Sequence, residues 1–67
     1  MINTDKIKEL MQEKNITQAM LAERLNIAQA TCCQKLNNKR HMSLDEANVI
    51  SEYLGISPEN FGSYFFA

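Results

Sequence analysis

Apolar residues recur three or four places apart through most of this chain, in short runs interrupted by asparagine or glycine, and no stretch alternates with period two. A chain patterned this way folds into short helices and offers no strand. Ile7, Leu10 and Met11, with Lys14 at the same spacing, set a first helix over about residues 4–14; Thr4 and Asp5 suit its start, and Asn15 ends it. Thr17 caps a second helix whose apolar positions are Met20, Leu21 and Leu25, with Ala22 allowing close approach, until Asn26 supplies a residue that tolerates the left-handed region. Ala28, Cys32 and Leu36 repeat four apart and give a third helix, with Gln29 to Leu36 as its body. Ser43 and Glu46 form a capping box ahead of Leu44, Ala47, Val49, Ile50, Tyr53 and Leu54, and Gly55 closes that fourth helix. Ser57 and Pro58 start a short fifth helix that the spacing carries to about Gly62.

The expected architecture is therefore all-α, a compact domain of four to five helices over residues 1–62, followed by an apolar tail over 63–67. With 67 residues there is one domain, and a domain of this size buries only about 60% of the surface that its unfolded chain exposes. Its core is thin, and partner contacts are a natural supplement. No apolar run approaches the roughly 18 residues that cross a bilayer, and residues 1–13 mix acids with bases, unlike a signal peptide. Cys32 and Cys33 are adjacent and are the two cysteines present, which excludes a disulfide framework; reduced thiols point to the cytoplasm.

Catalysis finds little support. There is one histidine, with no serine-histidine-carboxylate grouping and no glycine-rich phosphate loop. A metal site built from Cys32, Cys33 and His41 would lack a fourth ligand and the usual spacing. The reading is a non-enzyme with no cofactor, metal or small-molecule substrate.

The formal net charge of −1 lacks the basic excess common in proteins that neutralise phosphates. Its distribution says more. No acid lies between Glu23 and Asp45, whereas Arg24, Lys35, Lys39, Arg40 and His41 do, so all eight acids fall outside this window. Two short helices joined by a tight turn, the second bearing small polar side chains and no carboxylate, suit a DNA major groove. With Ala28, Cys32 and Leu36 facing the core, Gln29, Ala30, Cys33, Gln34 and Asn37 face outward.

The stretches Thr17-Gln18-Ala19-Met20-Leu21-Ala22 and Ile27-Ala28-Gln29-Ala30-Thr31 resemble the lambda-repressor and Cro-like family, the Xre type of helix-turn-helix domain. Lys35-Leu36-Asn37-Asn38-Lys39-Arg40 and Ser43-Leu44-Asp45-Glu46-Ala47 are similar to that family too, so the likeness covers about residues 4–62. The resemblance implies a five-helix, usually dimeric domain that binds a palindromic double-stranded DNA operator. It further implies base reading by Gln29, Ala30, Cys33 and Gln34, with Gln18 on a phosphate and bracing Gln29. A carboxamide presents a donor and an acceptor together, as the adenine N6 and N7 edge requires, and an alanine methyl packs on that of thymine. Thr17, Thr31, Asn37, Asn38, Lys39 and Arg40 would position the domain on phosphates.

Two departures from the family stand out. Asn26 and Asn38 occupy places where the family commonly has glycine, and Ala28 stands where a capping serine or threonine is usual. Tyr64, Phe65 and Phe66 either finish the core or form an exposed dimer contact, the second being the expectation. Cys33 on the reading face invites packing on a base, with oxidation as a lesser reading. The functional expectation is a small phage- or prophage-type transcriptional repressor. The alternatives are an antitoxin or defence-system autoregulator, or a protein-interaction module that has lost DNA contacts.

Overall fold

The computed structural model describes residues 1–66 and contains five helices: α1 (Thr4–Glu13), α2 (Gln18–Leu25), α3 (Gln29–Leu36), α4 (Leu44–Leu54) and α5 (Pro58–Phe65). The chain marks their ends with local chemistry. Asn3, Thr17 and Ser43 cap α1, α2 and α4, each accepting from a backbone amide three residues on. In α4 the box is reciprocal, for Glu46 Oε1 accepts from the Ser43 amide at 2.9 Å. Four helices end on a left-handed residue: Asn15, Asn26 and Asn38 with φ of 57°, 58° and 61°, and Gly55 with φ of 71°. In each, the next amide reaches back five residues to a carbonyl: Ile16 to Met11, Ile27 to Ala22, Lys39 to Gln34 and Ile56 to Ser51. Asparagine serves here because, among residues with a Cβ, it tolerates that region best.

The helices enclose a core of Ile7, Met11, Leu21, Ala22, Cys32, Leu36, Ala47, Ile50, Leu54 and Phe65, with Ile2 closing one edge. α2 packs on α3 and on α4, and α1 lies against α5. Arg24 stacks over the Tyr53 ring at 4.4 Å and Lys6 over Tyr64 at 4.7 Å, strapping α2 to α4 and α1 to α5 on the outside.

Several positions differ from their spacing-based assignment. Met20 is exposed, its sulfur 3.5 Å from the Thr17 amide, because it lies in the first turn of α2 beside the cap. Leu44 and Ala28, each at the edge of its helix, also face solvent. The largest difference is at the C-terminus. Gly62 does not stop α5, whose φ there is not left-handed. The helix runs on through Ser63, Tyr64 and Phe65, and the Phe61 and Phe65 rings, one turn apart, meet at 4.7 Å. Phe65 is 4% exposed and belongs to the core rather than to an exposed tail. Tyr64 is half-buried and its carbonyl accepts from the Asn3 amide at 2.8 Å; of the tail's three aromatic residues, Phe66 is the one in the open, 67% exposed. Ala67 lies outside the described residues. No helix of the described residues is long and apolar enough to cross a membrane.

Candidate nucleic-acid interface

The turn between α2 and α3 is three residues long, Asn26 to Ala28, and its shape follows from Asn26. The left-handed backbone there returns the chain on itself, while Ile27 half-buries its side chain against the core. α3 then begins at Ala28, which has the extended backbone of a cap and no side chain to perform it. The first amides of α3 are left to solvent or to an incoming acceptor.

Cys32 and Leu36 are fully buried and fix which side of α3 faces in. Gln29, Ala30 and Gln34 are exposed on the opposite side, Thr31 and Cys33 are half-buried at its edges, and none carries a negative charge. With its side chains an α-helix is about 10–12 Å across, which suits the roughly 12 Å width of the B-DNA major groove. Gln18, at the start of α2, is half-buried. No hydrogen bond joins it to Gln29 among the described residues, so the expected brace is not made in the free protein. Thr17 Oγ1 accepts from the Met20 amide at 3.2 Å and thus serves the helix cap.

The electrostatics of the window are simpler than its sequence. Lys35 donates to Glu46 Oε2 in a part-buried ion pair between α3 and α4, so its charge is spent inside the domain. Burial disfavours the Glu46 carboxylate, but the hydrogen bonds from Lys35 and from the Ser43 amide, with the Lys35 charge, outweigh it and hold the carboxyl below its ordinary value. Glu46, which α3 contacts through Lys35, is therefore an engaged partner rather than a free repellent. Lys39 and Arg40, both exposed, carry the cationic character beyond the end of α3, and the exposed His41 follows them.

The thiols divide by burial. Desolvation, reinforced by Cys33 and Glu46, pushes the Cys32 thiol up, keeping it a neutral packing group. Cys33 Sγ accepts from Asn37 Nδ2 at 3.4 Å on the half-open side.

Asn37 and Asn38 are not free to hold phosphates with their side chains. Asn37 Nδ2 donates to the Cys33 carbonyl at 2.8 Å, and its Oδ1 accepts from Lys8 Nζ at 3.1 Å. Asn38 Oδ1 accepts from the Ile2 amide at 2.8 Å, while its Nδ2 donates to the Ile2 carbonyl at 2.9 Å. Both side chains face α1 and the N-terminal segment because the chain doubles back there; partners 29 and 36 residues away leave no local signal in a sequence. The same holds for Thr4, whose hydroxyl donates to the Leu36 carbonyl at 2.6 Å.

An exposed, carboxylate-free helix set on a short turn, with cations beyond its end, is a surface built for duplex DNA. No curated protein and no solved structure matches the chain. A family model described as Cro/C1-type HTH DNA-binding domain matches residues 6–65. That match spans all five helices, and on it the chain belongs to the Cro/C1-type helix-turn-helix DNA-binding domains.

Proposed function

We propose that this chain is a sequence-specific transcriptional repressor that binds a palindromic operator as a dimer, each protomer laying α3 in one of two successive major grooves. The half-sites then lie about 10 base pairs apart. The observation that carries this reading is the outer face of α3, where Gln29, Ala30 and Gln34 stand exposed with no carboxylate among them. Gln29 and Gln34 present paired donor and acceptor groups to base edges, Ala30 offers a methyl to thymine, and the half-buried Cys33 borders them. Lys39 and Arg40 take phosphates beyond the helix end, and Gln18, Thr17 and Thr31 do so near its start. Occupied promoter DNA excludes polymerase, which gives repression.

For the dimer, the supporting feature is one apolar patch. Phe66 and Leu44, 67% and 60% exposed, stand beside an open groove whose walls include Ile2, Met42, Ala47 and Phe65. A projecting ring next to a groove on the same surface is self-complementary under a two-fold axis. Sedimentation of Phe66→Asp beside the wild type checks it: loss of the dimer supports the contact, and an unchanged dimer removes Phe66 from it.

Salt dependence tests the DNA reading as a class. Affinity for duplex DNA should fall with salt with a logarithmic slope of about 0.9 per neutralised phosphate, whereas an apolar protein interface would barely respond. A flat slope would contradict the proposal.

A further inference from the structure

Lys39 and Arg40 come just beyond α3, past Asn37 and Asn38; the Lys39 amide returns to the Gln34 carbonyl at 2.8 Å, but among the described residues no hydrogen bond fixes either cationic side chain. Among the described residues, no hydrogen bond holds Arg40, His41 or Met42, and the next anchored residue is Ser43, through Glu46. Asn38 is the last residue before the cations whose side chain is held. Its side chain pairs with both backbone groups of one residue, Ile2, much as a neighbouring peptide would in a sheet, and Nδ2 also lies 3.3 Å from Thr4 Oγ1. Thr4 in turn binds the Leu36 carbonyl, Lys8 binds Asn37, and the Asn3 amide binds the Tyr64 carbonyl at the end of α5. The N-terminal segment is thus wedged between the last turns of α3 and α5.

Glycine would satisfy the left-handed backbone at position 38 equally well. It would leave the Ile2 groups without these partners. An asparagine there does two things at once, turning the chain out of α3 and bolting that turn to the N-terminal segment.

We infer that Asn38 is a positioning residue for DNA binding: by clamping Ile2 it sets the direction in which Lys39 and Arg40 leave the recognition helix, and it does not itself hold a phosphate. This rests on the proposed DNA reading, since it assigns the two cations to phosphates. A clamp acting through Lys39 and Arg40 alters how many phosphates are neutralised while both cations stay in place.

The test compares the full wild-type chain with Asn38→Gly, which keeps the backbone conformation and loses the clamp, and with Asn38→Ser, a neutral residue whose single hydroxyl can keep at most one of the two Ile2 contacts. The probe is a duplex selected by the wild type from random sequence, and affinity is measured across a salt series. Thermal melting identifies the folded variants, and amide hydrogen exchange at Ile2 reports the clamp. In Asn38→Gly the Ile2 amide should exchange faster, affinity should fall about tenfold, and the salt slope should drop toward that of the Lys39→Ala, Arg40→Ala double variant, about 0.9 per lost cation contact. Base preference should stay as in the wild type, and Asn38→Ser should fall between the two. An Asn38→Gly chain with the wild-type slope overturns the inference, whether its affinity is retained or lost. If Asn38→Gly does not fold, Asn38→Ser carries the comparison on the same slope criterion. A wild type whose binding ignores salt overturns the DNA reading and this inference together, whereas normal wild-type binding with an unmoved variant overturns this inference alone.

Discussion

The two ends of α3 are built by opposite rules. Its start, at Ala28, has no side-chain cap and faces solvent, so the first amides are unengaged. Its end is the most heavily tied place in the molecule, with the Leu36 carbonyl, Asn37 and Asn38 bound to Thr4, Lys8 and Ile2 and the amides of Asn38 and Lys39 returned to Lys35 and Gln34. One end is open to an incoming anion and the other is a mount. A helix that must enter a groove benefits from both, because its start stays clear for the duplex while the far end keeps its axis fixed.

The contrast can be broken most severely at the mount. Leu36→Ala removes a fully buried side chain at the tied end, and should cost about 2–5 kcal/mol. Urea titration reads this as a large fall in midpoint, enough to unfold much of so small a domain. At the open end, Ala28→Ser supplies the missing cap and should raise stability by about 1 kcal/mol, visible as a higher melting temperature. If the start of α3 is already satisfied, that gain will be absent. The smallest effect concerns the brace between α3 and α4. Because the Glu46 carboxyl is held below its ordinary value, its contribution is complete above the normal carboxylate range and is lost as pH falls through the depressed value. A pH series of melts on wild type and Glu46→Gln should converge at low pH and differ near neutrality by about 1 kcal/mol or less.

Features written in neighbouring residues were legible before any coordinates. The Ser43 and Glu46 box, the cap at Thr17, the left-handed Asn26 and the uncapped Ala28 all depend on groups within one turn, and the structure has each of them. Buried Cys32 and Leu36 followed from spacing alone, and so did the outward Gln29, Ala30 and Gln34. What spacing could not give were contacts made by chain return. Lys35 reads as a free cation until α4 brings Glu46 beside it, and Asn38 reads as a phosphate ligand until Ile2 arrives from 36 residues away. Gly62 reads as a stop, whereas packing of Phe65 into the core carries α5 past it. Met20 and Leu44 have the right chemistry for a core and the wrong place, being in first turns that project past their neighbours.

The central claim is that the open end of α3 reads bases while the residues beyond its tied end hold phosphates. Selection of bound duplexes from random DNA, by wild type and by Gln29→Ala in parallel, tests it most directly. Wild type should enrich a two-fold symmetric motif, and Gln29→Ala should recover the same motif with preference relaxed at one base pair in each half-site, at a cost of about 1–3 kcal/mol in affinity. Enrichment of no motif by the wild type, or of an unchanged motif by the variant, would contradict the account.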